Sequence, residues 1–299
     1  MSEASREGGS VTVDAVEDVG SQITRMMADG GPSLSVIIPA HNESKRIVAT
    51  LSMLLDEAEP GEMDVVVVCN GCTDSTADEA RSVAGVRVLE IEQASKIAAL
   101  RVGDRSSDVF PRLYLDADTL LATAAARELA MSLAGRSMVA GVRAHMDLTT
   151  ASAPVRLFME FRQRLPVMQQ GVIGAGVYAM SEEGRSRFGE WPDVSGDDQF
   201  VFRLFDESER VVVDSHCSEV EPPANLRVLV RRGVRVRRGN RQLSRGGDDY
   251  SSLAAPTAGV RDALKDAVRS PAGWASVVVF SAVTLAIRVL DWLKGRGDW

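Results

Sequence analysis

Cysteine is scarce in this chain: the 299 residues hold three, Cys69, Cys72 and Cys217. So small and odd a number excludes a disulfide-stapled fold and makes a reducing, cytoplasmic compartment the default. Lysine is rare as well, with Lys45, Lys96, Lys265 and Lys294 the whole complement, so nearly all basic residues are arginine. The net charge of −8 argues against a dedicated nucleic-acid binder, which carries a basic face. No basic start followed by an apolar run opens the chain, so no signal peptide is expected. Long uncharged runs are few too. The segment 272–287 is strongly apolar and has no charged residue but is shorter than the roughly 20 residues that span a bilayer, which excludes a polytopic membrane protein.

With 45% hydrophobic and 25% charged residues, the composition is that of a soluble globular protein. Residues 1–32 are acidic and rich in Gly and Ser, and read as a poorly ordered leader. Order begins at 34–38, an apolar run closed by Pro39 that reads as a buried parallel strand. Asn42 is placed to cap a helix presenting Ile47, Leu51, Leu54 and Leu55. The grammar repeats: strands at 64–68, 86–91 and 112–115 alternate with helices at 75–83, after Lys96, and at 120–133. This alternation predicts an α/β fold with a mostly parallel central sheet flanked by helices, with ligands beyond the carboxyl ends of the strands. From 138 to 213 the pattern is mixed, with strands at 139–143, 176–180 and 211–213 around a helix at 155–165. An arginine-rich helix follows over 227–245, then a Gly/Asp/Ser breaker and the apolar segment as a helical extension. The implied divisions are 1–32, 33–245 and 246–299.

Asp116-Ala117-Asp118 closes the strand at 112–115. Two carboxylates one residue apart can share one hard cation and leave positions open for diphosphate oxygens. A helix N-cap is the plainer reading of Asp118. Cys69 and Cys72 spell C-x-x-C, open to a redox or zinc role, although no second ligand pair accompanies them. The arginines at 227–245 suit a lid on a diphosphate, an anionic lipid surface, nucleic acid or a plain solvated face. The apolar 272–293 suits an interfacial helix, a tilted anchor, a homodimer contact or packing on the enzyme itself, with Trp274 and Trp292 near its ends.

The segments SVIIPAHNE (35–43), VCNGCTDST (68–76), KIAAL (96–100), YLDADT (114–119) and GDDQF (196–200) occur in that order. By these motifs the chain, from about 33 to 242, resembles a family 2 glycosyltransferase of the Rossmann-like GT-A fold. The resemblance implies a donor site at Pro39, His41, Glu43, Cys69, Asn70, Asp74, Lys96 and Asp116, with His41 offering a flat face to the base. It implies Mn²⁺ or Mg²⁺ on Asp118 and Asp116. It also implies a base from the pair Asp197 and Asp198, with Asp198 taking the acceptor's proton, and an acceptor side at Gly174, Ala175 and Gly176. Arg235 and Arg238 would close over the diphosphate. Two departures stand out. Cys69 and Asn70 stand where relatives carry two acids, which leaves the base open although UDP is the first choice, and no Trp follows the arginines, which favours transfer of a single sugar.

The activity implied is a metal-dependent, inverting transfer of one sugar from a nucleotide diphosphate to a hydroxyl of a saccharide, lipid-linked glycan or small molecule, in cell-envelope or glycan biosynthesis. Transfer to a polyprenyl phosphate is a second reading, and a non-catalytic nucleotide-sugar scaffold a third. Nucleic acid is not an expected partner. The inner face of the membrane is a place where such an enzyme could sit as a peripheral protein.

Overall fold

A computed structural model describes residues 33–245, 260–267 and 269–294. The leader expected at 1–32 and most of the breaker after 245 lie outside the described residues. Strand β1 (Leu34–Ala40) leads to α1 (Ile47–Leu55), β2 (Met63–Asn70), α2 (Thr76–Arg81), β3 (Val86–Ile91), α3 (Lys96–Arg105), β4 (Arg112–Leu115) and β5 (Thr119–Leu120). Then come α4 (Thr123–Met131), β6 (Val139–His145), α5 (Ala153–Gln163), β7 (Val177–Met180), α6 (Glu182–Ser186), α7 (Asp197–Leu204) and β8 (Arg210–Val220). Helices α8 (Leu226–Arg245), α9 (Val260–Ala267) and α10 (Pro271–Lys294) complete the described residues.

One eight-stranded sheet runs in the order β3-β2-β1-β4-β7-β6-β8-β5. Its first four strands are parallel, while β7 runs antiparallel to both β4 and β6. The continuous apolar runs follow from burial on both faces. Val65 and Val67 of β2 belong to one core cluster, and Val66 and Val68 to the cluster on the other side of the sheet. Pro39 lacks a backbone donor, and β4 pairs with β1 only as far as Ile37, so Pro39 sits where the strand has a single neighbour. The chain leaves β1 in one direction for β2 and β3, then crosses to β4 on the other side. The crevice between the carboxyl ends of β1 and β4 is therefore the topological switch point, where open α/β sheets bind ligands.

Three local expectations are corrected. Asn42 does not cap α1, whose N-cap is Arg46; it takes a left-handed conformation with φ 56° and bridges to the loop after β2. The helix expected at 120–133 begins only at Thr123, because Thr119 and Leu120 pair with Val220 and Glu219 of β8. Asp118 accordingly lies in a turn and is not a helix cap. Strand β8 is far longer than 211–213, since a register irregularity at Val142/Arg143 lets a polar stretch without clean alternation continue beside β6.

Candidate active site

Two loops at the carboxyl ends of β1 and β2 are stitched together by side chains. Asn42 Oδ1 accepts from the Thr73 N–H at 2.8 Å, and the Glu43 N–H donates to Thr76 Oγ1 at 2.8 Å. Asp74 accepts from the Ser44 N–H and from the Thr76 hydroxyl, which holds its carboxyl down at about 2. Asn70 is buried and spends its amide on the Ala40 carbonyl, 2.8 Å away, while its own carbonyl accepts from His41 Nδ1 at 2.6 Å. His41 is thereby oriented at the exposed rim of the crevice.

Behind this rim Asp116 and Asp118, after β4, and Asp197 and Asp198, at the start of α7, come together with a lysine from α3. Asp116 follows β4, and its backbone N–H donates to the Gly176 carbonyl at 2.7 Å. Lys96, the first residue of α3, reaches Asp116 Oδ1 at 2.6 Å and Asp197 Oδ1 at 2.8 Å, joining β4 to the start of α7. Desolvation alone would depress the lysine, but the Asp116 and Asp197 charges outweigh it and hold its pKa well above the usual value. Asp197 also accepts from the Tyr178 hydroxyl at 2.9 Å. Asp198 accepts from the Gly174 N–H at 3.1 Å and from the Gln199 N–H at 2.7 Å. Burial first, and the Asp197 charge second, push Asp198 up to about 6, against the pull of Lys96. A carboxylate poised there suits general base chemistry near neutral pH. Removing the lysine charge in Lys96→Gln should raise Asp198 further, moving the acid limb of the pH–rate profile up by about one unit. A profile that stays in place would show that Lys96 does not set that limb.

Asp118 faces a cleft of about 520 Å³ that Arg46, Leu120 and His145 also line. Glu43 is raised by burial and by the Asp118 charge, with Arg46, 3.5 Å away, opposing. Asp116 is raised by burial too, with Lys96 opposing and Asp197 and Asp118 adding to the rise. At Glu43, Asp116 and Asp198 burial is the first cause of the rise, and a neighbouring carboxylate adds to it at each, so negative charge is in excess at a desolvated place. Hard carboxylate oxygens in such excess fit a divalent cation such as Mn²⁺ or Mg²⁺, whose charge would relieve it. Asp116 and Asp118 are two ligands that it could take, and among the described residues no group of three or more metal-ligating side chains stands together.

The structure gathers Pro39, His41, Glu43, Asn70, Asp74, Lys96, Asp116, Asp118, Asp197 and Asp198 around the carboxyl ends of the parallel strands. Other expected site residues fall elsewhere. Cys69 points into the core, 2% exposed, and burial followed by the neighbouring Cys72 pushes its thiol up to about 12, so it cannot read a donor base. Both cysteines are free, and among the described residues no cluster of metal-ligating side chains includes them. Ala175 is buried, with its carbonyl accepting from Ser218, so its side chain lines no open space for an acceptor. A Cβ on Gly176 would stand 2.1 Å from Thr119 Oγ1, at φ +69°, so this glycine serves the close approach of the Asp116–Asp118 turn and not that of an acceptor. Gly176→Ala should therefore cost at least about 1–2 kcal/mol in urea unfolding; an unchanged midpoint would mean the turn adjusts freely. Arg238 turns to Asp291 on α10, 3.5 Å away, which removes it from a lid over the diphosphate. Arg235 lies exposed on the same helix.

Three contributors escaped the sequence. Tyr178 and Asp104 read as ordinary strand and helix residues. Arg162 is carried by α5 towards Gly174, where a Cβ would meet its guanidinium at 3.3 Å. Burial lowers the Arg162 pKa and the Asp198 charge opposes this. Only an arginine next to the buried Phe161 of an amphipathic helix hinted at it.

The fold and these motifs have known relatives. Two curated 4,4'-diaponeurosporenoate glycosyltransferases of Staphylococcus aureus, strains RF122 and MRSA252, are 27% and 26% identical over 159 residues. That is 52% of this chain, and the matched part makes up 40% of the relatives' own length. A mannosyltransferase from Pyrobaculum calidifontis, solved with GDP-Man and Mn²⁺, superposes with a TM-score of 0.60 over 94% of this chain and 95% of that one, at 18% identity. A glucosyl-3-phosphoglycerate synthase from Mycobacterium tuberculosis, solved with Mn²⁺, UDP and glucosyl-3-phosphoglycerate, gives 0.55 over 86% and 88%, at 19% identity. At such identities these structures share the fold, a mostly parallel sheet flanked by helices with a C-terminal helix. Residues 35–181 match the family described as glycosyl transferase family 2, a segment that runs from β1 through both stitched loops and the acidic turn to the end of β7. Sequence and architecture agree, and the segment 35–181 of this chain belongs to glycosyl transferase family 2.

Proposed function

We propose that this chain is an inverting glycosyltransferase that moves one sugar from a nucleotide-diphosphate donor to the hydroxyl of an acceptor. The observation that carries the reading is Asp198, raised to about 6 beside the Asp116–Lys96–Asp197 bridge at the switch point of the sheet. Inversion needs a base on the face of the sugar opposite the leaving group. Asp198 serves as that base, held by the Gly174 N–H with Arg162 nearby. Asp197 is locked between Tyr178 and Lys96 and positions the start of α7. His41 and the stitched loops flank the donor base, and Lys96 pairs with Asp116 at the donor, opposing the rise that burial gives its pKa. Asp116 and Asp118 hold a divalent cation, which when bound supplies positive charge for the departing diphosphate. The cleft beside Asp118 lies within the size range of small-ligand sites. A cytoplasmic location at the inner face of the membrane accords with the exposed apolar side of α10.

The donor is tested by thermal shift with UDP, GDP and dTDP and their sugars, with and without Mn²⁺, using Asp118→Ala as control. A ligand at a hundred times its dissociation constant adds about 2.7 kcal/mol, a shift of roughly 5–10 °C. A metal-dependent shift with one nucleotide, lost in the variant, supports the assignment and names the base. No shift with any of them would count against a nucleotide-sugar donor for enzyme and scaffold alike, and a shift without turnover would favour the non-catalytic scaffold.

A further inference from the structure

Helix α10 has two unlike faces. Ser276, Val283, Ile287 and Asp291 are buried towards α5 and α8, with Phe280 stacked 5.1 Å from Phe158. Along the other side Trp274, Val278, Leu285, Val289 and Trp292 are 46–62% exposed. Scattered apolar residues need no explanation, but a continuous stripe down a 24-residue helix does. Beside it α8 carries eight arginines and no acid. Asp291 is 1% exposed and ion-pairs with Arg237, Arg238 and Arg241, so one carboxylate answers three guanidinium groups.

The groove between these helices, about 360 Å³, is lined by Arg203, Arg237, Arg241 and Arg288 together with Thr284 and Asn240. Arg203, near the end of α7, is 9% exposed; its Nε is buried without a hydrogen-bond partner, and its Nη2 reaches Asn240 Oδ1 only at 3.5 Å. A desolvated guanidinium without its own carboxylate, in a groove rich in arginine, calls for an anion. Arg288 ties the groove to the stripe, lying one helical turn from both Leu285 and Trp292.

We propose that this face docks on an anionic membrane surface, with α10 lying in the plane of the interface and a lipid phosphate seated among Arg203, Arg237, Arg241 and Arg288. Length and composition alone would let 273–293 cross a bilayer. Crossing would carry the buried Asp291 and the three half-exposed α8 arginines paired with it into hydrocarbon, which four charged groups make costly. Lying flat satisfies both faces, with Trp274 and Trp292 at headgroup level. A second copy is the poorer occupant, because a two-fold contact through this face would set the α8 arginines against themselves. The docking does not depend on which sugar is transferred.

The test is co-sedimentation of the full chain with vesicles of phosphatidylcholine alone and of phosphatidylcholine mixed with phosphatidylglycerol. Binding is expected only to the mixed vesicles and should weaken with salt. It should fall about fivefold in Arg288→Gln, and tenfold or more in Leu285→Ser/Val289→Ser. All three positions are exposed, so an unchanged melting temperature would confirm that the variants fold. Equal binding to neutral vesicles, or full binding by Arg288→Gln, overturns the headgroup site. Stabilisation by inorganic phosphate with no vesicle binding overturns the membrane in favour of a soluble phosphate. A concentration-dependent dimer that Leu285→Ser dissociates, again without vesicle binding, makes a second copy the occupant.

Discussion

Asp198→Asn should lower the transfer rate by about 10²–10⁴-fold, the usual contribution of a positioned general base, while leaving donor affinity nearly unchanged. Asparagine keeps the shape and can still accept from the Gly174 N–H, so only the proton acceptor is lost. The stability of the variant carries a second, independent signature. Asp198 sits at about 6 in the fold, above the ordinary carboxylate value of 3.8, so the native state holds the proton more tightly than the unfolded chain. The sign follows by linkage: native stability falls as pH rises from about 4 through 6, and at pH 7 the ionised carboxylate destabilises the fold. After allowance for partial solvent screening this amounts to roughly 1–3 kcal/mol. Asp198→Asn should therefore melt higher than the parent at pH 7 while turning over far more slowly. The same group predicts that kcat/KM declines below about pH 6 as Asp198 protonates. Steady-state kinetics and a melting curve on one preparation decide both points. Loss of rate with loss of stability would mark Asp198 as structural, and a rate that survives would point to an acceptor already ionised, such as a polyprenyl phosphate.

The second large effect is expected at Asp104, which touches none of the carboxylates named above. This α3 side chain is 7% exposed and accepts from Arg112 Nη1 at 2.9 Å, the Tyr114 hydroxyl at 2.7 Å, Arg185 Nη2 at 2.7 Å and Trp191 Nε1 at 2.7 Å. Four donors from β4, α6 and the segment after it are thus gathered on one carboxylate. In Asp104→Leu they lose their acceptor while the Arg112 guanidinium stays buried, at 4% side-chain exposure. Breaking a buried pair in this way costs about 3–5 kcal/mol, a large part of the 5–15 kcal/mol that holds a typical domain together. Urea unfolding measures it, and a loss below about 1 kcal/mol would mean that the network has no net weight. The effect should also reach the site. Tyr114 stacks on Tyr178 with ring centroids 5.2 Å apart, and Tyr178 donates to Asp197. Asp104→Asn, which keeps the shape but not the charge, should lose less stability and still depress turnover more than donor binding.

Much of the scaffold was legible because it is written in local pattern. The runs at 36–38 in β1, 65–68 in β2 and 113–115 in β4 carry no charged residue since both faces of the sheet are covered, and such runs need no tertiary information to be recognised. The boundaries that failed were those where a distant strand intervenes. Leu120 would open a helix by propensity, but pairing of Thr119 and Leu120 with β8 draws them into the sheet. Strand β8 itself lacks alternation after Val213 and is held by β6, just over seventy positions earlier in the chain.

The candidate site divides in the same way. Asp116 and Asp118 were legible from their place after a buried strand, whereas Lys96, Asp197 and Asp198 were nominated by the resemblance of their motifs to family 2 glycosyltransferases. Spacing carries no information about direction, however. Successive strand residues point to opposite faces, so Cys69 enters the core while its neighbour Asn70 ties two loops together. Arg238 was assigned to a lid by its place in the motif order, yet α10 supplies Asp291 and draws the arginine away. Arg162, Tyr178 and Asp104 join the site only when α5, β7 and α3 pack, over distances no local window spans. The chain by itself thus determined its parallel α/β scaffold and the chemical types gathered at the strand ends, through periodicity and turn chemistry. Which side chains face the crevice, which carboxylate is held near 6, and which face of α10 stays open were decided by tertiary packing, because burial and the charge of neighbours far along the chain set them.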